Sequence, residues 1–337
     1  MDWTSFIGHH RQRRWFANAI ANNRLASTFL FVGPSGVGKR TFAGLVAKTM
    51  LCTTHDPARF QPCGHCEACV QVEADTHPDV IRIHREQENS NLSMEQLVGR
   101  KEARMREGLC YELRMRPYSG RRKIAIIDDI DTLAVEGANS LLKTLEEPPA
   151  GSMIFLIGTA EQRQLATIRS RSQVVRFSPL SDEELSALLM RLSMVANREE
   201  GVHVARLSHG SIELAASVLD SNRAEFRTAL QRDLLQSPLD FIRLNKSITA
   251  HLDTVGKDGQ PRRDRLKWIL DQAMDIFRDS LRGNFGLETT STSLLKLSPH
   301  ELSTMIQRTE QAREQVDRNI SPAPLVEAWT ASLSASL

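Results

Sequence analysis

Thr28-Phe29-Leu30-Phe31-Val32-Gly33-Pro34-Ser35-Gly36-Val37-Gly38-Lys39-Arg40-Thr41 is the stretch on which the fold turns. Its first five residues form an apolar, β-prone run, the pattern of a strand covered on both faces. The glycines that follow let backbone N–H groups curl around phosphates, and a helix opening at the loop's end adds its dipole. Lys39 neutralises the outer phosphates in such a loop. A strand before and a helix after is the context that a phosphate loop requires. One residue departs from the pattern. Ser or Thr belongs directly after the lysine, because its hydroxyl binds Mg²⁺. Here Arg40 stands there and Thr41 comes one place late. A glycine-rich turn with no ligand is the alternative reading.

Outward from this loop, four further apolar runs have the same texture: 79–83, 123–127, 153–157 and 173–177. Helical patterns lie between them. From Glu136 to Glu146, Ala138, Leu141, Leu142 and Leu145 share one face, and Pro148-Pro149 stops the helix. This alternation predicts an α/β domain with a parallel sheet. After Phe177-Ser178-Pro179 no further strand is expected. Ser181 with Glu184, and Ser298-Pro299 with Glu301, read as helix starts. Leu302, Met305, Ile306, Thr309, Ala312 and Val316 form an amphipathic stripe, and Leu325, Trp329 and Leu333 another. Residues Thr254 to Asp264 read as a polar loop. The expected organisation is an α/β domain at 1–178, a small helical domain at 179–220 and an all-helical domain at 221–337.

The run Ile124–Ile127 ends in Asp128-Asp129-Ile130-Asp131. In a phosphate-loop protein, acid at the end of such a strand holds the Mg²⁺-linked water and the attacking water. Asp128 would serve the metal. Asp129 stands where an active ATPase of this kind has a glutamate base, on a side chain one CH₂ shorter, and proton abstraction needs hydrogen-bond reach. The alternative is that Asp129 and Asp131 cap the next helix.

Cys52, Cys63, Cys66 and Cys69 form a second constellation, inserted between the first helix and the second strand. Four thiolates complete a tetrahedral Zn²⁺ shell and leave no open position, so the site would be structural. A redox pair or free thiols are the alternatives, less favoured because two CxxC units share a cysteine. Cys110 stands apart as a small apolar residue.

Composition bounds the rest. Lys and Arg number 43 against 41 Asp and Glu in 337 residues, a net charge of +2, which excludes a globally basic coat for nucleic acid. No run of about 18 apolar residues suggests a membrane span, and the start has no signal-peptide layout, so a cytoplasmic protein is expected. A basic segment, Arg100-Lys101, Arg104, Arg106, Arg114, Arg116 and Arg121-Arg122-Lys123, precedes the acidic strand. A solvated helix face is the ordinary fate of such a run; sequence-independent contact with a phosphate backbone is the functional one. Tyr111 and Tyr118 interleave with it, too few to establish base stacking.

Together these features resemble the bacterial DNA polymerase III delta-prime subunits, clamp-loader members of the AAA+ superfamily. The resemblance rests on Ile7-Gly8-His9 through Phe29–Pro34, the cysteine cluster followed by Thr76-His77-Pro78-Asp79, the run Asn139–Pro149, Ala166–Ser172 as a Ser-Arg-Cys motif with Ser172 for cysteine, and a collar-like end through Arg313, Arg318-Asn319 and Pro322. It implies an AAA+ P-loop domain, a helical lid and a helical collar. It implies a place beside delta and tau/gamma subunits in a pentamer that opens a sliding clamp and sets it on primed DNA. It implies nucleotide, ATP or ADP with Mg²⁺, at Ile7, Gly8, Gly33, Gly36, Gly38, Lys39, Arg40 and Thr41, with Ile7-Gly8 near adenine. Thr159 would be a polar sensor, and Arg171 a finger reaching a neighbour's nucleotide. The chain would be a weakly hydrolysing or non-catalytic subunit of a DNA-directed DNA polymerase holoenzyme. The tau/gamma motor is the competing reading. Arg40, Asp129 and Glu213, the last where a motor has a phosphate-sensing arginine, stand against it. A stand-alone P-loop phosphotransferase is a third.

Overall fold

The structure is a computed structural model, and it describes residues 1–86, 91–104, 106–234, 236, 239–255, 259–287, 297–318 and 320–334. The described chain divides into two compact units, Met1–Ala215 and Ala216–Leu337.

The first unit is built on five parallel strands: β1 (Thr28–Val32), β2 (Val80–Ile83), β3 (Lys123–Ile127), β4 (Ser152–Gly158) and β5 (Gln173–Arg176), in the order β2-β3-β4-β1-β5. Each apolar run of the sequence becomes a strand. β1, β3 and β4 are buried along their whole length, whereas the edge strands β2 and β5 are partly exposed. Successive residues point to opposite faces. Phe29, Phe31, Ile124, Ile126 and Phe155 therefore enter one core, and Leu30, Val32, Ala125, Ile127 and Leu156 the other.

Helices cover both faces. They are α1 (His10–Ala21), α2 (Lys39–Leu51), α3 (Glu67–Glu73), α4 (Met94–Val98), α5 (Leu109–Glu112), α6 (Val135–Glu146) and α7 (Ala166–Arg169); α8 (Asp182–Arg191) and α9 (Arg198–Leu207) follow β5, and α10 (Ile212–Leu219) runs across the division between the two units. One core is notably aromatic: Trp3 stacks on Phe60 at 4.5 Å, and Phe16, Phe31 and Phe42 meet edge to face. Ser181 and Glu184 form the expected reciprocal cap of α8. Ala138, Leu141 and Leu145 of α6 are buried, as the periodicity requires. Cys110 is fully buried.

The second unit is helical in its described residues: α11 (Ser221–Leu234), α12 (Phe241–Asp253), α13 (Gln260–Asn284), α14 (Pro299–Asp317) and α15 (Pro322–Ser334). Both stripes face its core. Thr309, the polar member of the α14 stripe, accepts a hydrogen bond from Trp329 Nε1 at 3.1 Å, so neither buried polar atom is orphaned. Ser298 and Glu301 cap α14 reciprocally, with Pro299 in its first turn. The loop expected from Thr254 to Asp264 needs correction. Gln260–Asp264 is the first turn of α13, because Gly259 adopts a left-handed φ of 101° just before it and Pro261 is pre-set for a helix start. Residues 256–258 of that stretch, and Asn319 of the collar-like end, lie outside the described residues. Among the described residues no helix is long and apolar enough to cross a membrane.

Candidate nucleotide cleft and cysteine cluster

Parallel strands place the loops that leave them along one edge, where open α/β sheets bind ligands. The loop after β1 turns at Gly36 and Gly38, both at positive φ, and delivers Lys39 as the first residue of α2. Asp128 and Asp129 leave β3, and Thr159 leaves β4. These elements enclose a cleft of about 240 Å³ lined by Gly36, Lys39, Arg40, Thr41, the aspartates, Thr159 and Glu213.

Lys39 is buried, and its Nζ donates to the carbonyls of Gly33 and Pro34 at 2.7 and 2.6 Å. Burial pushes its pKa down, while Asp128, Asp131 and Glu213 pull it up. Burial, then the neighbouring Asp129, pushes the Asp128 carboxyl up. Asp128 Oδ1 accepts the Asp129 amide at 3.0 Å, and Asp129 sits in the left-handed region at φ 54°. Asp129 makes no side-chain cap to the following turn. Asp131 makes none either, and accepts instead from the Thr159 amide at 2.6 Å, the Thr159 hydroxyl at 2.7 Å and Gln164 Nε2. Asp131 thus fixes Thr159 at the cleft. The sequence signal for this was a third acid beside a buried strand, which needs a partner.

The α9–α10 connection sits directly on the phosphate loop. Ile212 N donates to Gly36 O at 3.0 Å. A Cβ on Gly36 would lie 2.4 Å from Ser211 Oγ and 2.7 Å from Glu213 N, so glycine is the residue that lets the two segments meet. The cleft therefore holds four carboxylates, Asp128, Asp129, Asp131 and Glu213, against Lys39 and Arg40. Arg40 and Thr41 also line a neighbouring hollow with Lys48 and Arg82.

Other expected site residues lie elsewhere. Gly33 packs against the Phe177 carbonyl. Ile7 and Gly8 do not line the cleft. Gly8 has φ 80°, and a Cβ there would lie 2.5 Å from Leu180 Cδ2. The next residue, His9, places Nε2 2.7 Å from Val37 O and meets Phe177 edge to face. Arg171 follows α7, and its Nη2 pairs with Glu146 at 2.6 Å.

Along the opposite edge, Cys52, Cys63, Cys66 and Cys69 place their Sγ atoms within 4.8 Å of one another. The Cys63–Cys69 and Cys52–Cys66 separations are 3.9 and 4.0 Å. Bonds of about 2.3 Å in a tetrahedral Zn²⁺ shell imply sulfur–sulfur edges of about 3.8 Å, so the set fits that ion. Backbone amides of His55 and Cys63 point at Cys52 Sγ, and that of Cys66 at Cys63 Sγ. Burial raises the Cys66 thiol, but hydrogen bonds from Thr53 and from the Cys69 amide outweigh it and hold it at about 5.

Five parallel strands, a glycine-bearing loop closed by a lysine, and acids at the end of a neighbouring strand define an α/β protein of the P-loop type. Residues 8–181 match the family model described as DNA polymerase III, delta subunit, and the chain belongs to that family. It is similar to the DNA polymerase III subunit delta' of Bacillus subtilis, 27% identical over 80% of this chain and 71% of that one. It is also similar to the DNA polymerase III subunit tau/gamma of Haemophilus influenzae, 28% identical over 85% of this chain. This chain spans 40% of the length of that tau/gamma protein. Among solved structures, a DNA polymerase III gamma subunit-related protein of Thermotoga maritima aligns over 97% of this chain and all of its own, at 13% identity and TM-score 0.44.

Proposed function

We propose that this chain is the delta-prime subunit of a DNA polymerase III clamp loader. In this reading it joins delta and tau/gamma subunits in a pentamer, helps open the sliding clamp on primed DNA without reading sequence, and hydrolyses ATP weakly or not at all. Residues 1–178 act as the AAA+ domain, 179–220 as a lid and 221–337 as the collar. The observation that carries the choice over a motor subunit is Glu213 on the phosphate loop. A phosphate-sensing arginine would add charge opposite to the nucleotide's; a carboxylate beside three aspartates repels it. Arg40 supports the same reading, because a cation where the Mg²⁺-binding hydroxyl belongs repels the metal.

The cysteine cluster is proposed to hold a structural Zn²⁺ through Cys52, Cys63, Cys66 and Cys69, which would contribute directly to folding. Arg171 is proposed to act in trans. Its pair with Glu146 is partly exposed, the class of ion pair that contributes little, so a neighbour's phosphate can displace the carboxylate.

The test is co-purification with clamp and loader subunits, with zinc, nucleotide and steady-state ATP hydrolysis measured on the chain alone. Incorporation in a loader, one zinc per chain and negligible hydrolysis are expected. Robust hydrolysis by the isolated chain would transfer the assignment to the motor class.

A further inference from the structure

The loops that enter a parallel strand lie at the edge opposite those that leave it. Residues 117–122 enter β3, whereas Asp128 leaves it. The basic segment's last turn is therefore separated from the nucleotide cleft by the strand's length, about 16 Å for five residues. It shares its edge with the cysteine cluster, since Arg121 Nη2 reaches the carbonyl of Thr53 at 3.5 Å.

This turn is held firmly from beneath. Asp79 is fully buried and accepts from the Tyr118 amide at 2.7 Å, the Ser119 amide at 2.8 Å and the Ser119 hydroxyl at 2.6 Å. Gly120 N closes the reversal onto Pro117 O at 3.2 Å. On this fixed backbone the Tyr118 side chain is left almost bare. At 87% exposure it is the most exposed large apolar or aromatic residue among the described ones. Arg114, Arg116 and Arg121 are exposed around it in the chain, and the side chains of Arg114, Arg116 and Arg122 make no hydrogen bond or ion pair among the described residues. The nearest acid in sequence, Glu112, is engaged by Lys123 at 3.5 Å. Tyr111, the other candidate for stacking, is half-buried.

We infer that the Pro117–Gly120 turn and its flanking arginines form a contact surface for single-stranded nucleic acid, with Tyr118 as a stacking platform. The inference rests on the reading of the chain as a protein that works on DNA, and it adds the kind of strand and the residue. Uncompensated guanidinium groups complement a phosphate backbone. A free aromatic ring complements the face of an unpaired base, which a duplex hides within its own stack. An acidic protein surface would satisfy the arginines but has no base to cover the ring.

The test is fluorescence anisotropy of the full-length chain with labelled oligo(dT) and with a duplex of equal length. Binding is expected to favour oligo(dT) and to weaken with salt. Tyr118→Ala should weaken oligo(dT) binding by about tenfold, and Tyr118→Trp should restore it. Removing Arg114 and Arg116 together should flatten the salt dependence by about 0.7 in log–log slope for each phosphate left without its cation. Tyr118 packs against so little that an unchanged thermal melt should accompany its loss. Equal affinity of native and Tyr118→Ala chains, equal binding of duplex, or displacement by poly-glutamate with the same Tyr118 dependence would each overturn the assignment. So would a native chain that binds no oligonucleotide, and that result would leave the loader reading untouched, since co-purification tests it separately.

Discussion

The two edges of the sheet differ in chemical completeness. At the edge where strands end, the loop turns, the lysine arrives buried with its ammonium on the Gly33 and Pro34 carbonyls, and Asp131 holds Thr159 in place. Its charges are rearranged, with Arg40 in the hydroxyl's position and Glu213 against the loop. At the edge where strands begin, the four cysteines converge with a donor set and spacing that fit a closed tetrahedral shell. Backbone geometry and ligand chemistry are therefore separable. Loop shape follows from glycine placement, whereas what the loop holds follows from the sign of a few side chains. If this contrast is right, damage at the cysteine edge should harm folding, and change at the cleft edge should alter binding without harming it.

The largest expected effect lies outside both sites, at Arg171. In a reconstituted loader, Arg171→Ala should lower DNA- and clamp-stimulated ATP hydrolysis by about 10³-fold or more, the scale of fingers in other phosphate-transfer systems. Assembly and zinc content should be unchanged. Glu146→Gln is the control, because it breaks the pair that Arg171 makes within its own chain. Hydrolysis retained in Glu146→Gln and lost in Arg171→Ala separates a trans role from a local ion pair. Equal hydrolysis in native and Arg171→Ala loaders would remove the finger.

Next in size is the cysteine edge. Cys66→Ser should release the metal equivalent and lower the melting temperature by about 10 °C, since a structural ion's binding energy is folding energy. Metal analysis and a thermal melt, with and without chelator, read this. A native chain free of zinc, or a variant with an unchanged melt, would end the contrast from that side.

The cleft edge should respond in the opposite sense. Glu213→Arg and Arg40→Thr each remove a charge that opposes nucleotide or Mg²⁺, and together they should raise Mg²⁺-dependent ATP affinity by at least about tenfold. Calorimetric titration with and without Mg²⁺ checks the change, and the melt should hardly move. If the native chain already binds MgATP as tightly as the double variant, Glu213 and Arg40 do not govern the cleft.

The strands and the phosphate loop were legible because their signals are local. Strand burial is written in continuous apolar runs, and loop shape in glycine spacing. The cysteine spacing was legible for the same reason. Asp79 was not: its role depends on a turn some forty positions later, and nothing nearby announces that its carboxylate is buried beneath Tyr118 and Ser119. Asp131 was half legible, since its acidity was plain but its bond to Thr159 joins two strand ends. The start of α13 was missed because Gln260-Pro261 is polar and proline-bearing, the same texture as a loop, and a 25-residue helix behind it overrides that local reading.

The smallest effect concerns the helical unit, where a half-buried histidine faces two arginines whose push outweighs the pull of Asp220. His251 stacks on Phe226 at 3.9 Å, and its Nε2 lies 2.8 Å from Arg265 Nη1. The neutral ring accepts that guanidinium bond; a protonated ring cannot. Burial first, then Arg265 and Arg223, holds its pKa at about 4, below the ordinary 6.5. A histidine whose folded pKa lies below its unfolded one favours the neutral form in the fold. Its contribution to stability is complete above pH 6.5 and is lost as the pH falls from 6.5 towards 4. The ring is only partly shielded, so a shift of a few degrees in the melt across that window is expected. His251→Gln keeps a neutral acceptor and should flatten the pH dependence while lowering stability slightly at pH 7 through lost stacking. Parallel melts of native and variant chains at pH 7 and pH 5 decide it. An acid sensitivity that survives in His251→Gln would place its origin in other titrating groups, whichever unit carries them.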